Sequence, residues 1–256
     1  MRPPSYPSIP GRPLVLGHRG ASAEAPENTL AAFRVALERG ADGFELDVWR
    51  CRTGEAVVIH DADARRTGQF PRGVREATLA RLQELDVGRW RGDAFAGERI
   101  PTLAGVLEAF PAAVVNVELK SGRVPDLGLA VEVVRTLRQH QAESRVVVSS
   151  FSAALLGAFR SLAPDVPSGF LVAPGAIAWA RAEAAVRAIR PAAIHLAREL
   201  ATTSRIEAWN RAGVKVLVWT VDDPGEVERL TRLGVAAIVS NRPGEAREAV
   251  RRASGV

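Results

Sequence analysis

The sequence has little cysteine, lysine or aromatic content, and it contains no long hydrophobic run. One cysteine among 256 residues excludes an internal disulfide framework and predicts a reducing, cytoplasmic environment. No apolar segment reaches the roughly 20 residues that a membrane-spanning helix needs. The first ten residues carry prolines instead of an apolar core, so we expect no secretory signal and no stable membrane insertion.

The positive charge of the chain comes almost entirely from arginine. Lys120 and Lys215 are the two lysines among 34 basic residues, and the formal net charge is +5. The arginines are scattered among glutamates in helical segments and form no dense stripe with interleaved aromatics, which argues against a nucleic acid partner. A mild positive field still favours a small anionic substrate. No segment predicts an oligomeric state.

The stretch 43–61 predicts two strands joined by a tight turn at Thr53-Gly54. The few residues between the two apolar runs allow an antiparallel hairpin and are too few for a parallel crossover. Glu45 and Asp47 are two residues apart, so both carboxylates point to one face of their strand. Folding the hairpin about its turn brings His60 opposite Asp47, to within one residue pair. The sequence therefore predicts two acids and a histidine at one place.

Charged side chains on an otherwise buried strand are costly unless they are paired or bind a metal. Carboxylate oxygens are the ligands that Ca²⁺ and Mg²⁺ prefer, so Glu45 and Asp47 are candidates for a divalent metal site. The alternative is the exposed face of an edge hairpin, on which alternating acids have no function. The hairpin taken alone leaves both interpretations open.

Strands and amphipathic helices alternate along most of the chain. A first strand ends at His18, and regular strand–helix pairs run from residue 113 to a last helix that starts at Pro243. This alternation implies parallel strands with right-handed crossovers. Counting the hairpin as one unit gives eight strands, which predicts a (β/α)8 TIM barrel of the α/β class. The competing doubly wound sheet needs a switch point and usually a glycine-rich phosphate loop, and neither is evident.

The predicted organisation is a proline-rich N-terminal lead at 1–12 and a single TIM-barrel catalytic domain at 13–256. The segment 62–111 departs from the strand–helix rhythm, because it is rich in arginine and broken by glycine and proline. We expect this segment to be an insertion over one mouth of the barrel, since its apolar content is too small for a core of its own. We expect the lead to be loose or to lie along the surface.

Six short motifs stand at predicted strand ends or helix starts. They are His18-Arg19-Gly20, Pro26-Glu27-Asn28-Thr29, Glu45-Leu46-Asp47-Val48, His60-Asp61, Glu118-Leu119-Lys120 and Trp219-Thr220-Val221. Each motif is weak alone, but their order and spacing together resemble the glycerophosphodiester phosphodiesterase family over nearly the whole chain. The resemblance implies a TIM barrel with a short insertion after the second histidine, and segment 62–111 fits that description.

The resemblance also implies a reaction. Family members hydrolyse glycerophosphodiesters, such as glycerophosphocholine or glycerophosphoethanolamine, to glycerol 3-phosphate and an alcohol. In the family's usual account a glycerol hydroxyl attacks phosphorus, and the resulting cyclic phosphate is then hydrolysed. His18 and His60 match the general base and general acid, a role that suits histidine near neutral pH. His140 and His195 have no motif support, so we expect them to be structural or at the surface.

The resemblance assigns the remaining site residues as well. Three acids match metal ligands and favour one divalent ion, Mg²⁺ or Ca²⁺, that neutralises phosphate charge: Glu45, Asp47 and Glu118. Two cations match phosphate-contacting groups, and two aromatics match the wall of the cleft: Arg19, Lys120, Phe151 and Trp219. Asn241 departs from the pattern, because family members commonly carry an aspartate near the end of the last strand.

Other functions remain open at this point. Apolar residues at 170–174 and 177–179 would admit an acyl chain in a lysophospholipase D-type enzyme on the same scaffold, although strand and helix core is the simpler interpretation of them. A phosphate-binding lyase on a similar barrel is a smaller alternative. A non-catalytic binder of phosphodiesters or metal belongs to another class. Loss of a motif histidine or of a metal ligand would favour such a binder, and all of these residues are present.

Overall fold

The structure, a computed structural model, describes residues 4–255, with the side chains at 176–178 and 181 outside that description. The described strands are β1 (Leu14–His18), β2 (Gly43–Arg50), β3 (Ala56–Val58), β4 (Asp63–Ala64), β5 (Phe70–Gly73), β6 (Val114–Leu119), β7 (Val146–Ser150), β8 (Ser168–Val172), β9 (Ala193–Ala197), β10 (Lys215–Trp219) and β11 (Ala237–Ser240). The described α-helices are α1 (Leu30–Glu38), α2 (Arg65–Gly68), α3 (Leu79–Gln83), α4 (Leu103–Ala109), α5 (Leu127–Gln139), α6 (Ala153–Leu162), α7 (Ala176–Ile189), α8 (Thr203–Arg211), α9 (Pro224–Arg232) and α10 (Pro243–Ser254).

Eight parallel strands close into a barrel. Their hydrogen-bonded order is β1–β11–β10–β9–β8–β7–β6–β2, and β2 pairs back to β1 to complete the ring. Helices connect the strands on the outside, so the predicted (β/α)8 barrel is confirmed. Of the helices formed by residues 4–255, none is long and apolar enough to cross a membrane.

The hairpin extends one barrel strand beyond the ring. β3 pairs antiparallel with the end of β2, with Val48 opposite Val58. The turn uses Gly54 at a φ of 112°, a conformation that side-chain-bearing residues rarely adopt. The amide of Ile59 donates to the carbonyl of Asp47 at 3.0 Å. Ile59 therefore lies opposite Asp47, one pair from the position predicted for His60 and within the stated margin.

Several helices begin directly after a residue whose side chain accepts from an amide of the first helical turn. Thr29 caps α1 by accepting from the amide of Ala32, and Thr102 caps α4 by accepting from that of Gly105. Asp223 caps α9, with Pro224 as its first residue. Short polar side chains satisfy the free amides of a first helical turn, so these positions set the loop lengths at the mouth of the barrel.

The core has two layers. An outer layer lies between strands and helices, where Phe33 of α1 stacks on Phe44 of β2 with ring centroids 4.2 Å apart. An inner layer fills the amino-terminal part of the barrel with side chains from alternate strand positions. Tyr6 of the N-terminal lead closes this inner layer, and its side chain is 6% exposed. The expectation of a loose or surface-bound lead is therefore wrong at Tyr6, while residues 1–3 of the lead lie outside the described residues.

The segment between β3 and α4 covers the outer side of the hairpin. Leu82, Val87 and Ile100 of this segment share an apolar cluster with Trp49 and Val57 of the hairpin. Helix α4, at the end of the stretch predicted as an insertion, instead packs in the outer layer of the barrel. The segment is thus anchored to the strand that carries the predicted acids.

Candidate active site

The predicted site residues converge at the carboxyl ends of the barrel strands. A cavity of about 180 Å³ opens there between the strand ends. Eight of the nine predicted residues line this cavity: His18, Arg19, Glu45, His60, Glu118, Lys120, Phe151 and Trp219. The ninth, Asp47, is 1% exposed and lies beneath the lining, where it contacts both cations.

Three carboxylates form the acidic part of the site. Parallel pairing of β2 with β6 places Asp47 beside Glu118, and Glu45 points to the same side two residues earlier. One oxygen from each of the three acids lies within 4.8 Å of the others. Two oxygens on opposite sides of a bound ion at 2.0–2.6 Å are about 4–5 Å apart, so this oxygen-only set fits one hard divalent cation.

Burial and mutual repulsion raise the proton affinity of two of these acids. Burial raises the pKa of Glu45 well above its ordinary value, and the charges of Asp47 and Glu118 add to the rise. Burial, with the charge of Asp47, raises the pKa of Glu118 to about 7. Burial also acts on Asp47, but Lys120 and Arg19 outweigh it and lower that pKa to about 2. The cluster carries more negative charge than the neighbouring cations compensate, which favours a bound cation.

Two cations lie against this cluster. The Nζ of Lys120 is 3.2 Å from Asp47 Oδ1 and 2.9 Å from Glu118 Oε1. The Nε of Arg19 is 3.3 Å from Asp47 Oδ2, and the backbone amide of Arg19 donates to Glu45 Oε2 at 3.1 Å. Asn28 donates from Nδ2 to Asp47 Oδ2 at 2.9 Å. The acids are therefore held in place from several sides, as a preorganised site requires.

The partner of His18 fixes the orientation of its ring. His18 Nδ1 is 2.7 Å from Asn241 Oδ1, and Asn241 donates from Nδ2 to Asp222 Oδ2 at 2.7 Å. An amide oxygen only accepts, so His18 carries its proton on Nδ1 and keeps a lone pair on Nε2. Burial and then Arg19 lower the pKa of His18, despite opposing contributions from Asn241 and nearby acids. Burial and the neighbouring cation thus favour the neutral form of His18.

His60 has a different partner. His60 Nδ1 is 2.8 Å from Asp61 Oδ1, so this nitrogen donates and Nε2 takes no part in that bond. Burial acts to raise the pKa of Asp61, but hydrogen bonds from His60 and Arg66 lower it overall. Asp61 is thus a carboxylate partner, whereas the partner of His18 is the neutral amide of Asn241. The two histidines of the cavity thus differ in the charge of the group that holds them.

Two aromatic side chains form one wall of the cavity. The rings of Phe151 and Trp219 meet edge to face, with centroids 5.7 Å apart. Trp219 Nε1 donates to the carbonyl of His195 at 3.1 Å, which fixes the indole. Phe151 is 43% exposed, so this wall continues outward to the rim of the mouth.

The structure also contains site residues that the sequence analysis missed. Asp222 supplies a carboxylate behind Asn241 and accepts from both its backbone amide and its Nδ2. Asn116 and His195 line the inner part of the cavity, although His195 was expected to be structural or at the surface. Burial lowers the pKa of His195 to about 3. The single available signal for Asp222 was its position directly after Trp219-Thr220-Val221.

The fold and this arrangement together define a (β/α)8-barrel enzyme with a candidate divalent-metal site beside two histidines. The family model described as the glycerophosphoryl diester phosphodiesterase family matches residues 18–245. The chain therefore belongs to this family and is an enzyme of that class. This result confirms the predicted family and the predicted enzyme class.

Named relatives agree with that assignment. A glycerophosphodiester phosphodiesterase of Caldanaerobacter subterraneus is 38% identical over 90% of this chain and 94% of the relative. A solved structure of an Oleispira antarctica phosphodiesterase, in complex with the product sn-glycerol-3-phosphate, has a TM-score of 0.85 at 30% identity, covering 93% of this chain and 97% of that one. A glycerophosphodiester phosphodiesterase structure from Agrobacterium tumefaciens has a TM-score of 0.80 at 28% identity, covering 92% and 99%.

Proposed function

We propose that the protein hydrolyses glycerophosphodiesters, such as glycerophosphocholine or glycerophosphoethanolamine, to glycerol 3-phosphate and an alcohol. One observation carries this proposal: Glu45 and Glu118, whose oxygens cluster with those of Asp47 within 4.8 Å, open onto the same cavity as His18 and His60. The similarity to the Oleispira antarctica phosphodiesterase, in complex with sn-glycerol-3-phosphate as product, supports the choice of substrate class.

Glu45, Asp47 and Glu118 would hold one divalent ion, Mg²⁺ or Ca²⁺, in this proposal. When bound, such an ion neutralises phosphate charge and lowers the pKa of a hydroxyl or water that binds to it. Lys120 and Arg19 place two further positive charges beside the same carboxylates. Charge-assisted hydrogen bonds from these two side chains to the phosphate oxygens would stabilise negative charge that develops at phosphorus.

The two histidines divide the proton transfers between them. His18 accepts a proton at Nε2 from the attacking glycerol hydroxyl, while Asn241 holds its Nδ1. His60 gives a proton from Nε2 to the oxygen of the leaving alcohol, and Asp61 balances its charge. In the second step His60 takes a proton from water and His18 returns one to the glycerol oxygen, which opens the cyclic phosphate. Each histidine then ends the cycle in its starting state.

The aromatic wall gives the cavity an apolar side opposite its charged side. Phe151 and Trp219 would pack against the carbon atoms of the glycerol or of the alcohol and exclude water from that flank. We further propose a cytoplasmic location, for which the free and buried thiol of Cys51 is the supporting observation.

The lysophospholipase D alternative has less support. In the apolar stretch proposed to admit an acyl chain, Leu171 lines the cavity, whereas Phe170 and Val172 are buried between strand and helix. The side chain of Ile177 lies outside the described residues. A non-catalytic binder would have no use for two histidines whose rings are each fixed through Nδ1.

Product analysis with defined substrates tests the proposal. Wild-type protein with Mg²⁺ or Ca²⁺ should release glycerol phosphate and choline from glycerophosphocholine, and His18→Ala and His60→Ala should each lose that release by about 10²–10⁴-fold. Release of phosphocholine, or release by either variant at the wild-type rate, would contradict the assigned roles. Preferential cleavage of lysophosphatidylcholine micelles would favour the alternative, and lasting accumulation of cyclic phosphate would indicate a lyase.

A further inference from the structure

Arg66, on the short helix α2, lies between two acidic residues that each hold a site residue. Its Nε donates to Asp61 Oδ2 at 2.8 Å, and Asp61 Oδ1 accepts from His60 at 2.8 Å. Its two terminal nitrogens donate to both oxygens of Glu27, at 2.7 and 2.8 Å. One guanidinium therefore uses three N–H groups to join two loops at the mouth of the barrel.

The second arm of this network leads to the phosphate side of the site. Glu27 Oε1 also accepts from Arg19 Nη1 at 2.9 Å, and Arg19 Nε lies 3.3 Å from Asp47. Burial would raise the pKa of Glu27, but Arg66 and then Arg19 lower it below its ordinary value. Glu27 therefore remains an anion between two arginines. A continuous row of alternating charges thus runs from Asp61, the partner of His60, through Arg66 to the acidic cluster.

Because Arg66 is partly exposed, we expect it to affect the positions of Asp61 and Glu27 more than the stability of the fold. Its side chain is 46% exposed, and ion pairs at such positions contribute little to the free energy of unfolding. The described residues that line the cavity do not include Arg66, so its links to the site are its contacts to Asp61 and Glu27. A planar guanidinium can nevertheless fix two carboxylates in one geometry, which the single nitrogen of a lysine cannot do.

We propose that Arg66 is a positioning residue for both halves of the reaction. It holds Asp61, which orients the proton-donating His60, and it holds Glu27, which orients the phosphate-binding Arg19. The insertion thereby sets the angle between the proton donor and the phosphate. This inference rests on the proposed function, since it assigns Arg66 to the proton transfer and phosphate binding described there.

Arg65 provides a matched control on the same helix. Its side chain is 70% exposed, and its guanidinium lies 3.9 Å from Asp63 and 3.5 Å from the carbonyl of Pro71, with no contact to Asp61 or Glu27 among the described residues. Arg65→Ala and Arg66→Ala each remove one positive charge from α2, so a change in long-range field affects both variants alike. A difference between them therefore reports the contacts to Asp61 and Glu27.

Steady-state kinetics on glycerophosphocholine test the proposal. Arg66→Ala should lower kcat by about 10–100-fold, as loss of an orienting partner does, while Arg65→Ala stays within about two-fold of wild type. Both variants should keep the wild-type Tm. Arg66→Lys retains the charge but not the planar guanidinium that binds both carboxylates, so its kcat should lie between those of Arg66→Ala and wild type. Equal kcat values for Arg65→Ala and Arg66→Ala would overturn the inference.

A double-mutant cycle separates positioning through Asp61 from an independent effect. If Arg66 acts in part through Asp61, then Arg66→Ala should cost less in kcat in an Asp61→Asn background than in the wild-type background, and the loss that remains reports the arm through Glu27. Full additivity of the two losses would overturn that arm of the proposal. Absence of glycerol phosphate release by the wild type would overturn the proposed function and this inference with it, whereas normal release by Arg66→Ala overturns this inference alone.

Discussion

The two ends of the barrel interior are built from the same strands and differ in chemistry. On β1 the inward side chains change from Leu14 and Leu16 at the closed end to His18 at the mouth. Along β6 and the residue that follows it, they change from Asn116 through Glu118 to Lys120. The closed end holds an apolar cluster under Tyr6, and the mouth holds the charges. Position along a strand therefore separates packing from chemistry in this fold.

This difference implies that the closed end contributes mainly to stability and the mouth mainly to function. Buried like charges at the mouth raise the free energy of the folded state, and the pKa rise of Glu118 to about 7 is a sign of that cost. The apolar end offsets that cost through burial of side chains. Substitutions at the mouth should therefore change activity with little loss of stability, and substitutions at the closed end should do the reverse.

The largest effect is expected for Glu118→Gln at the mouth. Removing a proposed metal ligand should lower kcat/KM by at least about 1,000-fold, because loss of an outer-shell partner alone costs about 10–100-fold. The Tm should stay the same or rise, since the variant removes a buried carboxyl group from a cluster of like charge. Glu228→Gln, on the outer helix α9, is the control for the loss of one charge. A stable Glu118→Gln variant with full activity would contradict the assignment of function to the mouth of the barrel.

Tyr6→Ala tests the closed end. Removal of this buried ring should lower the free energy of unfolding by about 3–5 kcal/mol, while kcat of the folded protein stays within about three-fold of wild type. Tyr6→Phe is the matched variant, because the Tyr6 hydroxyl is buried and has no hydrogen-bond partner among the described residues. We expect Tyr6→Phe to be as stable as wild type or more so in urea unfolding. If Tyr6→Ala lost activity without losing stability, the assignment of stability to the closed end would be contradicted.

His195, between the two ends, makes stability depend on pH. Its pKa is about 3 in the folded protein and near 6.5 when unfolded, so protons bind the unfolded chain first. Its contribution to stability is therefore present above about pH 6.5 and is lost by about 1.4 kcal/mol per unit as pH falls towards 3. Between pH 6.5 and 5, wild type should lose about 2 kcal/mol more than His195→Leu in urea unfolding. Equal losses in the two proteins would show that His195 is protonated in the folded state.

The smallest effect is expected at the rim. Phe151 is 43% exposed and makes an edge-to-face contact with Trp219, so Phe151→Ala should raise KM by a few-fold and change unfolding by less than about 1 kcal/mol. Leu162→Ala, at a side chain 50% exposed on the outer helix α6, is the control and should leave KM unchanged. An equal rise in KM in both variants would contradict the proposed role of the aromatic wall.

Local sequence patterns were sufficient to predict the barrel and the position of its mouth. Thr29 and Asp223 stand directly before helices that their side chains cap, and Glu45, Asp47 and His60 come together because one hairpin carries them. Such features depend on periodicity and on contacts within a few residues, which a single sequence contains.

Contacts between separate loops could not be predicted in the same way. Arg66 meets Glu27 across 39 positions, and Asn241 meets Asp222 across 19, because barrel closure brings these loops together. Tyr6 belongs to a proline-rich segment with no periodic pattern, so nothing local indicated that its ring fills the closed end. These contacts follow from the assembled barrel and not from any short motif.

Calorimetric titration of chelator-stripped protein with Mg²⁺ and Ca²⁺, followed by assay of the same samples, tests the central claim most directly. Wild type and Tyr6→Phe should each bind one ion at the mouth and release glycerol phosphate only when it is bound. Glu118→Gln should neither bind the ion with comparable affinity nor release product. Full activity of the stripped wild type in excess chelator, or unchanged ion binding by Glu118→Gln, would contradict the account.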